Sequence, residues 1–296
     1  MDNLKKQFIR VGDIELHVVT AGDENGTPIL LLHGFPEFWY GWRKQIEFLA
    51  ANGYYVIVPD QRGYNLSDKP RGKSQYTLNI LAQDVANLID AMGYEKINLV
   101  GHDWGGVISW VVAETYPEKL ERLVVLNAPV PNVMIGQLMQ GNFNQMVKSL
   151  YMGFFQLPLI PETLMSLNGY DDFAKGLQAN ATEGAFTDED MKAYQRAWSQ
   201  PNAMTSMLNY YRAMTSPSQA GNARKKAKIT VPTLMLWGEK DVALGKELAR
   251  PSIEQCVDGE LVFFPNATHW IQHDEPDSVN EEIHKFIAQE VGTPTI

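Results

Sequence analysis

The chain has 296 residues, 45% apolar and 20% charged, an ordinary globular mixture that excludes a disordered or fibrous protein. A net charge of −10 opposes a phosphate backbone, so nucleic acid is not expected as a partner. The one cysteine, Cys256, permits no intrachain disulfide; with no signal-peptide core and no membrane-length apolar run, a cytoplasmic protein is expected.

In chain order, short apolar runs end at turn residues. Run 28–32 meets His33-Gly34, run 54–58 meets Pro59-Asp60 and run 97–100 meets Gly101. Run 123–126 meets Asn127, run 233–237 meets Gly238 and run 261–264 meets Pro265. Continuous runs of this length suit strands buried on both faces of a parallel sheet. Between them, 78–92 places Leu81, Val85, Leu88, Ile89 and Met92 on one helical face, and 105–114 and 279–288 also read as helices. Strands alternating with helices predict an α/β fold. The alternation stops between 131 and 218, which holds nine of the twelve methionines and no strand-like run. Thr187 ahead of Asp190 and Met191 reads as a helix start there. The expected organisation is a core of 1–130 and 219–296 with a helical cap, 131–218, inserted in it. Its methionines can fill a core or line an adaptable apolar pocket. The basic run Arg224-Lys225-Lys226-Ala227-Lys228 is expected to be a solvated surface.

The chemistry concentrates at Gly101-His102-Asp103-Trp104-Gly105-Gly106. Glycines two before and two after the central residue permit a sharp strand-to-helix turn, the nucleophile elbow, with aspartate where serine is usual. Aspartate before a helix is often just an N-cap, but the symmetric small residues and the groups described next favour a nucleophile. Carboxylate attack on an ester or amide gives a labile anhydride, whereas attack on an sp³ carbon gives an alkyl ester on the enzyme. Serine esterase, lipase and peptidase chemistry therefore lose most of their weight.

His269 follows the last predicted strand and Asp241 the one before, so the chain order is nucleophile, acid, histidine. A histidine oriented by a carboxylate can activate water near neutral pH. Glu239 is the nearest rival acid, and Asn127 cannot carry the charge. In His33-Gly34-Phe35-Pro36 a rigid turn leaves the Phe35 amide free, and with the Trp104 amide it makes a two-donor oxyanion hole. His33 is expected to tie loops together. His269 and His273 have a metal-compatible spacing but no further ligand beside them, so no metal is expected.

The segment Leu32-His33-Gly34-Phe35-Pro36-Glu37-Phe38-Trp39-Tyr40-Gly41-Trp42-Arg43 resembles the oxyanion loop of α/β-hydrolase-fold epoxide hydrolases. Asp60-Gln61-Arg62-Gly63-Tyr64-Asn65-Leu66-Ser67 resembles their following loop, and the segments around Asp103 and His269 match as well. The resemblance implies an α/β-hydrolase fold, a mostly parallel sheet flanked by helices with an inserted helical lid. It also implies a small apolar epoxide and water as partners, a vicinal diol as product, and no cofactor. Two lid tyrosines that bind the epoxide oxygen are implied. Tyr151-Met152-Gly153-Phe154-Phe155-Gln156-Leu157-Pro158 resembles the first segment, and Asn209-Tyr210-Tyr211-Arg212 the second, where the tyrosine before arginine is the functional one. That designates Tyr151 and Tyr211. Adjacent helical side chains diverge by about 100°, so Tyr210 should face elsewhere and Tyr210→Phe should be nearly silent in turnover. Trp39, Trp104, Phe35 and lid methionines are expected to wall the substrate pocket. Two alternatives stand beside this reading. A haloalkane or haloacid dehalogenase shares the nucleophile, but such enzymes often place a halide donor where Phe35 stands, or carboxylate-clamping arginines where Trp104 and Val107 stand. A non-catalytic ligand-binding member of the fold is the other. The epoxide, the enantiomer and the oligomeric state are left open.

Overall fold

The computed structural model describes residues 4–141, 143–215 and 228–289. Of the basic run, 224–227 lies outside the described residues. Eight strands form one sheet: β1 (Lys5–Val11), β2 (Ile14–Ala21), β3 (Thr27–Leu32), β4 (Tyr54–Pro59), β5 (Ile97–His102), β6 (Leu120–Leu126), β7 (Thr233–Gly238) and β8 (Gly259–Phe264). Their order is β1-β2-β4-β3-β5-β6-β7-β8. β2 runs antiparallel to both β1 and β4, and every other pairing is parallel. β4, β5 and β7 are buried along their whole length, as strands covered on both faces must be.

The core helices are α1 (Arg43–Ala51), α2 (Leu78–Ala91) and α3 (Trp104–Thr115), with the C-terminal α13 (Pro276–Ala288) packed beside α1. α2 turns Leu81, Val85, Leu88 and Ile89 inward, the face its periodicity predicts. After β6 the chain leaves the sheet and, among the described residues, forms helices and one isolated bridge, Ile229 to Cys256, before β7. The helices are α4 (Pro131–Met139), α5 (Phe143–Lys148), α6 (Leu150–Phe155), α7 (Ile160–Met165), α8 (Asp171–Ala179), α9 (Asp188–Trp198) and α10 (Ala203–Ala213). Thr187 caps α9: its hydroxyl accepts from the Asp190 amide, and the Asp190 carboxylate accepts from the Thr187 amide. Among the described residues no helix is long and apolar enough to cross a membrane. Two short helices, α11 (Ala249–Ile253) and α12 (Ile271–Asp274), lie after β7 and β8.

The loops leaving the carboxyl ends of β3, β5, β6, β7 and β8 carry Phe35, Asp103, Asn127, Asp241 and His269. A parallel sheet brings those ends to one edge, which is where open α/β sheets build their sites.

Candidate active site

Asp103 sits between β5 and α3 at φ 50°, ψ −119°, a conformation costly for any side chain other than glycine. The surroundings enforce it. A Cβ on Gly101 would lie 2.4 Å from the Gly105 carbonyl oxygen, and one on Gly105 would lie 2.1 Å from that of Leu32. Glycine at both positions lets α3 start hard against the sheet and throws Asp103 outward. Asp103 makes no side-chain cap bond to its helix, so the N-cap reading does not describe it. Its Oδ1 instead accepts from the Phe35 amide at 2.8 Å. Trp104 opens α3, so its amide is among the helix's orphan donors.

Oδ2 of Asp103 stands 3.5 Å from His269 Nε2. On the other side of the ring, His269 Nδ1 is 2.7 Å from Asp241 Oδ2. Asp241 is thoroughly satisfied: Oδ1 accepts from the Ala243 and Leu244 amides at 2.7 and 2.8 Å, and Oδ2 from Asn127 Nδ2 at 2.7 Å. Asn127 in turn accepts from the Gly238 amide at 2.8 Å, so it sets the carboxylate's position without bearing charge. Burial opposes the Asp241 charge, but His269 and these donors outweigh it and hold the carboxyl below its usual range. Burial also opposes a charge on His269, yet Asp241 and Asp103 together hold its imidazole well above its ordinary value. Glu239, the rival acid, pairs instead with Lys246.

Two cavities meet at Asp103. One, of about 110 Å³, includes Trp104, Met134, Met152 and Met214 in its wall; the other, of about 350 Å³, includes Phe35, Phe173, His269 and Trp270. Asp103, Tyr151 and Tyr211 line both. The tyrosine rings, from α6 and α10, lie 5.9 Å apart at 80°. Burial and the Asp103 charge push both phenols up, so they remain protonated donors at neutral pH. Arg212 holds the pair in register: from α10 it donates to the Phe155 carbonyl at the end of α6 and pairs with Glu162 of α7. The resemblance flagged that arginine only as a marker.

One sequence expectation needs correction. Trp39 lines neither cavity at Asp103. Its amide donates to Asp60 Oδ1 at 3.0 Å, and its ring faces a separate pocket under the Lys6 ammonium, 4.9 Å from the ring centre. That anchor turns it away from the site although it lies only four residues beyond Phe35. Tyr210 does face away from the cavities, but its hydroxyl is buried and donates to the Arg62 carbonyl at 2.7 Å. Tyr210→Phe strands that carbonyl and lowers stability while leaving the cavities untouched. His33, by contrast, ties loops as expected: Nε2 accepts from the Gln61 amide at 3.1 Å.

A profile of the α/β hydrolase fold matches residues 27–276. Human epoxide hydrolase 4 is 37% identical over 291 residues, covering 96% of this chain and 79% of that protein. Epoxide hydrolase 1 of Caenorhabditis elegans is 37% identical over 298 residues, covering 97% and 71%. The crystal structure of Bacillus megaterium epoxide hydrolase with an inhibitor superposes with a TM-score of 0.86 at 30% identity, covering 96% of this chain and all of that one. The chain belongs to the epoxide hydrolase family.

Behind Asp103, His269 and Asp241 this epoxide hydrolase family member carries a buried polar network that sequence reasoning missed. Glu37, 1% exposed, accepts from Tyr194 Oη and His273 Nε2, each at 2.7 Å, and from Gln272 Nε2 at 3.0 Å. His102 Nδ1 lies 3.2 Å from the same carboxylate, and its Nε2 donates to the His269 carbonyl at 2.8 Å. Burial opposes ionisation of Glu37, and the histidines and their bonds overcome it, holding the carboxyl well below its usual range. Burial holds His273 below its ordinary value, in keeping with a neutral ring that accepts from Arg43 at Nδ1. The network joins α9, through Tyr194, to the loop bearing His269. Glu37→Leu leaves several buried donors without an acceptor, a loss of roughly 3–5 kcal/mol. Urea unfolding should show the midpoint fall at unchanged slope; a loss under about 1 kcal/mol would mean the donors find other acceptors.

Proposed function

We propose that the protein hydrolyses epoxides to vicinal diols through an alkyl ester on Asp103. The observation that carries this is the convergence of Tyr151 and Tyr211 with Asp103 on the same two cavities. An epoxide needs two things at once, a nucleophile behind a ring carbon and a hydrogen-bond donor on the oxygen in front. Asp103 Oδ2 attacks the carbon, the ring C–O bond breaks, and the oxygen takes a proton from a tyrosine hydroxyl. Oδ1, already held by the Phe35 amide, becomes the ester carbonyl oxygen. His269, oriented by Asp241, takes a proton from water, whose oxygen attacks the Asp103 carbonyl carbon. The Phe35 and Trp104 amides stabilise the oxyanion; on its collapse the bond to the diol oxygen breaks, that oxygen takes the proton held by His269, and the second water proton, left on the Asp103 carboxyl, returns to the tyrosinate, so the diol leaves and Asp103 and the tyrosine are restored. Side chains and water supply every proton and electron pair, so the cycle calls for no cofactor or metal.

In this reading residues 131–218 are the cap that brings the tyrosines over a core of 1–130 and 219–296. A dehalogenase needs halide donors and has no use for two phenols over the nucleophile. The test is diol formation from styrene oxide and aliphatic epoxides, run beside halide release from a haloalkane panel. Diol without halide is expected; halide release with no diol overturns the proposal.

A further inference from the structure

One wall of the smaller cavity does not fit an apolar substrate. Apart from Asp103, Trp104 and the two tyrosines, the described residues of that wall are aliphatic, proline and methionine, with one exception, Asn132 in the first turn of α4. Its Oδ1 is sealed from solvent and has no hydrogen-bond partner among the described residues. A buried amide oxygen without a partner is costly, and a leucine of similar size would complete the apolar wall without that cost. Asn132 lines the cavity, so an occupant that reaches its amide can supply the missing partner once the side chain turns to it. Among the described residues no hydrogen bond holds the amide in one orientation, so a half-turn about χ2 presents either its donor or its acceptor.

We propose that Asn132 is a specificity-determining residue that selects epoxides bearing a neutral hydrogen-bonding group, a hydroxyl or carboxamide, on an otherwise apolar tail. This rests on the epoxide hydrolase reading and names its substrate class. A tail lying among Met134, Ile135 and Met152 passes apolar surface until it reaches the amide. An anionic tail is disfavoured, because the same cavity holds the Asp103 carboxylate. The residue acts on binding rather than on the reacting atoms, so the discrimination appears in kcat/KM between matched substrates.

The experiment compares wild type with Asn132→Leu on a chain-length series of ω-hydroxy-1,2-epoxyalkanes, each paired with the 1,2-epoxyalkane of the same length. At the length that reaches the amide, the wild-type ratio of kcat/KM, hydroxylated over plain, is expected to fall roughly tenfold in Asn132→Leu. Turnover of the plain epoxides should be kept or improved. If Asn132→Leu does not fold, Asn132→Ala reads the same ratio. An unchanged ratio at every length, with plain epoxides hydrolysed, overturns the role of Asn132 alone. Absence of diol from every epoxide with the wild type overturns this inference together with the reading beneath it.

Discussion

His269→Gln is expected to react with one equivalent of epoxide and then stop. Asp103 keeps its position, because the elbow glycines and the Phe35 amide hold it, not His269. Attack on the ring carbon therefore proceeds, while the base that activates water is gone, a loss of roughly 10²–10⁴-fold in ester hydrolysis. Mass spectrometry should find the epoxide's mass on the peptide containing Asp103. With excess wild-type enzyme in H₂¹⁸O, the label should enter the Asp103 carboxylate and leave the first-turnover diol unlabelled. Labelled diol from that single turnover means water attacks the ring directly, and the ester mechanism fails at its first step.

The pH dependence follows from the same geometry. Although burial opposes its charge, Asp241 and Asp103 raise the proton affinity of His269 well above the ordinary value in the resting site. Alkylation turns Asp103 into a neutral ester, which removes one of those anions and lowers the imidazole's affinity for its proton. Ester hydrolysis should rise with pH through the value of the alkylated enzyme, and ester should accumulate on the acid side. For the fold, the sign is that of a raised histidine. Its ion pairing stabilises fully below the ordinary value of about 6.5 and is lost as pH climbs through the raised one.

Tyr151→Phe and Tyr211→Phe should each cost roughly 10²–10⁴-fold in epoxide turnover, the range for a positioned general acid. Both rings remain packed, Tyr211 edge-on to Trp104 and Phe35, so a phenylalanine fills each place. Unchanged melting with depressed kcat is the expected pattern. Tyr210→Phe should give the opposite one: turnover per folded molecule kept, and about 1–3 kcal/mol of stability lost with the buried Arg62 carbonyl unpaired. Full activity in both single cap variants would remove the electrophilic role of the lid.

Several parts of this protein were readable without coordinates because their causes are local. The elbow is specified by glycines within two residues of Asp103, where a Cβ would strike backbone. Buried parallel strands write themselves as unbroken apolar runs, and the helical face of α2 as a period. β1 and β2 escaped notice: β1 reads Lys-Lys-Gln-Phe-Ile-Arg-Val, an edge strand mostly exposed, with no apolar run to mark it. The order of nucleophile, acid and histidine suggested a triad, but a sequence order has no distances. What tertiary structure decided is which distant groups face one another. Asn127 meets Asp241 across 114 residues and Glu37 meets His273 across 236. Trp39, four residues from Phe35, was turned to another pocket by Asp60. Backbone sterics and periodicity act over a few residues and leave a trace in the sequence. A buried polar partnership depends on where the packed sheet brings two chain segments together, and no local pattern records it.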